Sequence, residues 1–187
     1  MKAGICAIQP LCFLGRMVNI KRSVVQEQIG GSKAAGADSA DQCLKSALRL
    51  LTYRPRSEME IRVRLGRRFS NETISGVMSK LRQMQLIDDA AFAEYWKEKR
   101  EAKGSCSKGL VYAELRQKGI EREMIAKVTS DIDEDENAYH AAARKASTLL
   151  KEGYEPFHRK LSAFLYRKGF KYGASSRAIN RLWQELS

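Results

Sequence analysis

The sequence predicts an all-α chain: three tandem three-helix repeats forming an elongated, curved array, preceded by a poorly ordered N-terminal extension. Three observations carry this. Proline is almost absent beyond Asp41. Apolar residues recur at helical intervals, and the chain returns to register about every fifty residues.

Residues 1–41 are read as a flexible extension and linker. The apolar run Ala3–Gly15 is too short for a bilayer span, which needs about 20 residues. No small-x-small cleavage site follows it directly, and Arg16, Lys21 and Arg22 come next, so export is not expected. A start at Met17 is an alternative for this segment. The stretch GGSKAAGADSAD, Gly30–Asp41, reads as a linker, placing the start of the fold near Gln42.

The first repeat, 42–87, opens with Leu44, Leu48 and Leu51 on one face and closes with Ile74, Val77, Met78 and Leu81 on another. Between them Met59, Ile61, Val63 and Leu65 alternate with Glu60, Arg62 and Arg64, in isolation the signature of a half-buried strand. The repeat decides otherwise. Leu65, Leu115 and Leu165 align, with Ile61, Val111 and Leu161 four residues earlier. The spacing of Leu161, Phe164 and Leu165 is helical, so the first copy is read as helix too. Ser57 with Glu60 makes a capping-box pattern at its start.

The second repeat, 88–133, has Phe92, Tyr95 and Trp96 on one face, and its central helix stops at Gly119. The third, 134–187, opens on the capping pattern Asp133/Glu136, stops its central helix at Gly169 and ends on Ile179, Leu182, Trp183 and Leu186. Each unit is too small to bury a core alone, so stacking on neighbours is expected.

With 34 Lys+Arg against 22 Asp+Glu, the chain carries a formal +12, implying a polyanionic or acidic partner. The charge is uneven. Repeat one holds 10 basic and 3 acidic residues, net +7; repeat two 9 and 10, net −1; repeat three 10 and 6, net +4. Four scattered cysteines, none in a Cys-x-x-Cys pair, fit a reducing cytoplasm, and two histidines make a zinc or iron site improbable.

No phosphate-binding glycine loop, nucleophile elbow or catalytic triad pattern is present, so no enzyme is expected and no cofactor called. The acidic run Asp131–Glu136 is read as a solvated helix start, not a nuclease metal site. The basic residues are the stronger signal. Arg64, Arg67 and Arg68 fall at i, i+3 and i+4, with Arg54 and Arg56 just before; Arg116 and Lys118, then Arg167, Lys168 and Lys171, hold comparable positions in the other repeats. Most aromatics lie on apolar faces. Tyr53, Tyr166 and Tyr172 stand instead among basic residues.

Three segments, Ala47-Leu-Arg-Leu-Leu-Thr-Tyr-Arg-Pro-Arg-Ser-Glu-Met-Glu60, Leu86-Ile-Asp-Asp-Ala-Ala-Phe-Ala93 with Arg100, and Glu114-Leu-Arg-Gln-Lys-Gly-Ile120, resemble in order and spacing the RecX family of bacterial regulators of the RecA recombinase. The resemblance covers roughly residues 43–186. The chain departs from it at Gly66-Arg67-Arg68-Phe69, one residue short of the usual Lys-Gly ending, and at Ser107-Lys108, where the family commonly has Gly-Pro.

What the resemblance implies is a cytoplasmic, monomeric, non-enzymatic modulator in DNA repair and the SOS response. Such a protein lies in the groove of the RecA–single-stranded DNA filament and inhibits its recombinase, ATPase and co-protease activities. The expected contacts are Arg54, Arg56, Arg64, Arg67, Arg68, Lys118, Arg167, Lys168 and Lys171. No membrane partner is expected, and weak binding of free DNA is left open. The alternative is a helical protein acting directly on DNA, since three-helix units also build helix-turn-helix domains; sequence-selective footprinting separates the two.

Overall fold

The computed structural model describes residues 38–103 and 106–186. The readings made of residues 1–37 lie outside them. Among the described residues the secondary structure is helical throughout: α1 (Asp38–Tyr53), α2 (Glu58–Leu65), α3 (Asn71–Gln83), α4 (Asp89–Glu101), α5 (Lys108–Gln117), α6 (Arg122–Val128), α7 (Glu134–Leu149), a 3₁₀ turn (Leu150–Glu152), α8 (Tyr154–Arg167) and α9 (Tyr172–Leu186). The chain divides between Asp88 and Asp89 into two compact units.

The first unit contains α1–α3. Cys43, Ala47 and Leu48 of α1, Ile61 and Leu65 of α2, and Ile74, Val77, Met78 and Leu81 of α3 form its core. The segment that alternates like a strand is helix α2. Ile61 and Leu65, four apart, are buried, while Met59 and Val63 face solvent, because in a helix only residues three or four apart share the face turned to the core. Helix α1 already includes Asp38, four residues before the expected start, so the last four linker residues are helical. Ala40 among them favours helix.

The second unit contains α4–α9 around two clusters. One joins Phe92 and Ala93 of α4 to Val111, Leu115, Ile120, Ile125, Val128 and Ile132. The other joins four alanines of α7 to Phe157, Leu161 and Leu165 of α8 and Ala178, Ile179 and Leu182 of α9. Alanines on α7 let its neighbours approach closely.

The turns obey the local chemistry of the sequence. Ser57 accepts the Glu60 amide, and Asp133 accepts those of Asp135 and Glu136. Gly119 and Gly169 both take φ +82, and beyond them the Ile120 and Phe170 amides return to the carbonyls of Leu115 and Leu165. This left-handed stop repeats in α3, but there Gln85 takes the position at φ 53, with Leu86 N returning to Leu81 O. Helix α2 ends differently: Gly66 stays right-handed at φ −59.

Candidate functional site

The basic residues fall into two groups, those committed within the fold and those left facing solvent. In the first unit Arg54 is committed. Its Nη1 and Nη2 donate to the Glu60 carboxylate at 2.9 and 3.1 Å, and Nη1 also donates to the Pro55 carbonyl at 2.9 Å. Arg56 donates Nε to the Leu50 carbonyl at 3.1 Å; burial, reinforced by the charge of Arg54, pulls its guanidinium below the usual arginine range. Glu58 accepts from Nε of both Arg62 and Arg82 at 2.9 Å. Burial alone would raise the Glu58 carboxyl, but hydrogen bonds from Arg82 and Arg62 outweigh it and hold it below the usual carboxylate range.

Two of the three acids of the first repeat are therefore held by Arg54, Arg62 and Arg82. Arg64, Arg67 and Arg68 are exposed, and no ion pair joins them to any other described residue. Their grouping has a different cause from the one the spacing suggests. Helix α2 stops at Leu65, so Arg67 and Arg68 are turn residues; the turn forms because the Arg68 and Phe69 amides both return to Leu65 O. Arg64 remains in the helix's last turn, just before them.

In the second unit Lys118 is half-buried, its Nζ 4.1 Å from the centre of the Trp96 ring. The indole donates Nε1 to Glu114 at 2.7 Å, and Arg100 donates Nε to the same carboxylate at 2.7 Å. Lys118 thus belongs first to a cation–π arrangement binding α4 to the end of α5. Arg116 closes that helix end by donating to the Ile120 carbonyl at 3.0 Å.

Arg167 and Lys171 are exposed, while Lys168 is half-buried with Nζ 5.8 Å from the Phe164 ring. Lys171 lines a surface cavity of about 390 Å³ together with Asp133, Asp135 and Arg177. The flanking rings stand out in solvent: Tyr166 is 80% and Tyr172 78% accessible.

The acidic run is used by the fold. Asp131 takes Lys97, Asp133 caps α7, Asp135 takes Arg177 at 2.7 Å and Glu136 takes Arg181 at 3.0 Å. Among the described residues no cluster of three or more His, Cys, Asp or Glu is arranged to hold a metal ion. Cys106 is buried, and burial, with the charge of Glu101, pushes its thiol up to about 11, which makes it a poor nucleophile. No described helix is long and apolar enough to cross a membrane.

Two polar residues escape a reading of spacing alone. Lys97, on the apolar side of α4, is 8% exposed. Burial would lower its ammonium, but its hydrogen bond to Asp131 and the charge of Glu94 leave it raised. Ser107 is fully buried and bonds across to the third repeat. A buried lysine needs carboxylates, but the one that Lys97 finds, Asp131, is 34 residues away in the chain.

Comparison with known proteins fits this arrangement. Family models described as the RecX first and third three-helix domains match residues 43–81 and 133–179. The chain is 34% identical over 150 residues to the regulatory protein RecX of Chlorobium phaeobacteroides (strain BS1), covering 79% of this chain and 99% of that one. It is 31% identical over 152 residues to the regulatory protein RecX of Streptomyces coelicolor, covering 79% and 81%. The crystal structure of RecX from Lactobacillus salivarius has the same fold, with TM-score 0.70 at 22% identity over 78% of this chain and 97% of that one. The order of the domain matches and the sequence identity agree, and the chain belongs to the RecX family.

Proposed function

We propose that this protein binds the RecA–single-stranded DNA filament and inhibits its recombinase, ATPase and co-protease activities. It acts in the cytoplasm as a monomer, without catalysis or cofactor, by occupying the filament surface and hindering its growth or the changes coupled to ATP turnover. The observation that carries this reading is the exposed triplet Arg64, Arg67 and Arg68, in a repeat whose acids Glu58 and Glu60 are already held by other arginines. Unquenched guanidinium groups at a helix end and turn suit carboxylate or phosphate pairing.

Exposed Arg167 and Lys171 supply the second cationic patch. Of the other expected contacts, Arg54, Arg56, Lys118 and Lys168 serve the fold first and reach a partner only through what remains of their donors. Cosedimentation with RecA filaments preformed on single-stranded DNA tests the reading. The protein is expected in the pellet at a fixed ratio to RecA, and the Arg64→Ala/Arg67→Ala/Arg68→Ala variant is expected largely in the supernatant. Wild-type protein left in the supernatant at micromolar RecA would overturn it.

A further inference from the structure

We propose that Tyr166 and Tyr172, on either side of the α8–α9 turn, form a base-stacking platform for single-stranded DNA, with Arg167 and Lys171 meeting its phosphates. The two rings are 80% and 78% exposed. Tyr154 and Tyr139 of the same unit anchor their hydroxyls on Asn180 and Glu185. Tyr166 and Tyr172 have no such bond to any described residue, and neither joins the core cluster of the third repeat. Folding gives no reason for a large ring at either position.

The repeat sharpens the point. Counting from the aligned Leu115 and Leu165, the second repeat has Arg116 and Arg122 where the third has Tyr166 and Tyr172. All four are exposed, so the fold accepts a charged side chain at both sites. The third repeat presents two π-faces there and keeps cations between them.

Exposed aromatics interleaved with Arg and Lys suit a strand whose bases are unpaired, because each base has a face to stack while the phosphates meet the cations. Duplex bases are already stacked on one another and offer no face to a tyrosine at a helix end. The choice of DNA over RNA rests on the proposed reading above; the stacking itself does not.

The test uses the full chain without RecA. Fluorescence anisotropy with a labelled oligothymidylate is compared with an abasic phosphodiester strand of equal length, a DNA duplex and oligouridylate. Tyr166→Ala and Tyr172→Ala are each expected to weaken oligothymidylate binding about five- to tenfold, with the Phe variants within about twofold of wild type. Circular dichroism melts should be unchanged. The abasic strand should bind more weakly than oligothymidylate and be indifferent to the Ala variants. Ala variants that bind oligothymidylate like wild type, or an abasic strand bound as tightly as oligothymidylate, would overturn the platform. Tighter binding of duplex or oligouridylate would overturn its assignment to single-stranded DNA. Wild-type protein that inhibits RecA but binds the abasic strand as tightly as oligothymidylate would remove the platform alone, and wild-type protein that prefers oligothymidylate but leaves RecA uninhibited would remove only the proposed function.

Discussion

The Ser107 hydroxyl ties repeat two to the Lys168 carbonyl of repeat three: it accepts the Leu110 amide at 3.1 Å and donates to Lys168 O at 2.7 Å. One buried atom thus caps α5 and closes the C-terminal end of α8. Asn137 donates to the Cys106 carbonyl at 3.0 Å beside it. Ser107→Ala removes both bonds and leaves the Lys168 carbonyl without that donor. A loss of about 2 kcal/mol in urea unfolding is expected, the cap and the buried acceptor contributing about 1 kcal/mol each.

The same junction fixes two glycines and contrasts with two other positions. A methyl group on Gly109 would stand 2.7 Å from the Gly169 carbonyl oxygen; on Gly169, at φ +82, it would stand 2.8 Å from Ser107 Oγ. Either Ala substitution is expected to cost about 2 kcal/mol or more. A methyl group on Gly76, exposed within α3, would meet nothing within 4 Å, so Gly76→Ala should stabilise by about 0.5–1 kcal/mol. Gln85→Gly, relieving a left-handed glutamine, should stabilise by up to about 1 kcal/mol. Thermal melts of the four single variants check the signs.

Glu58 and Lys97 set opposite ends of the pH profile. The folded Glu58 pKa lies below its unfolded value, so its contribution is present above the unfolded pKa of about 4.3 and disappears as pH falls through the folded one. The stability gap between wild type and Glu58→Gln should therefore be open at neutral pH and close on acidification. Lys97 is raised, so its contribution is full below about pH 10.4 and is lost as pH rises through the folded pKa. Lys97→Met, which keeps the stem's packing, should differ from wild type at pH 7 and converge with it in strong alkali. Chemical denaturation across pH reads both.

Arg54 and the solvent-facing arginines should separate cleanly. Arg54→Ala leaves Glu60, half-buried, without its bidentate partner, and is expected to cost about 1 kcal/mol of stability. Arg64→Ala/Arg67→Ala/Arg68→Ala should leave stability within about 0.5 kcal/mol while lowering filament affinity at least about tenfold. Melting curves beside filament cosedimentation distinguish the two effects.

Much of this fold was legible because local and global signals agreed. Leu65, Leu115 and Leu165 marked the repeat, and Gly119 and Gly169 marked helix ends through a conformation few other residues tolerate. Gln85 shows the limit: it adopts the same left-handed turn, yet glutamine carries no sequence mark for it. The candidate site was legible as charge but not as availability. Spacing groups Arg54 with Arg64, and only the positions of Glu58 and Glu60 in space separate a guanidinium spent on the fold from one facing solvent. Ser107 and Lys97 were hidden for the same reason, since their partners Lys168 and Asp131 lie 61 and 34 residues away.

The most direct measurement is RecA ATP hydrolysis on single-stranded DNA, titrated with this protein and with its Arg64→Ala/Arg67→Ala/Arg68→Ala variant. The proposed function predicts strong inhibition by the wild-type chain at near-equimolar amounts, and a curve displaced at least about tenfold to higher concentration for the folded variant. Undiminished hydrolysis at equimolar and higher wild-type protein would contradict it.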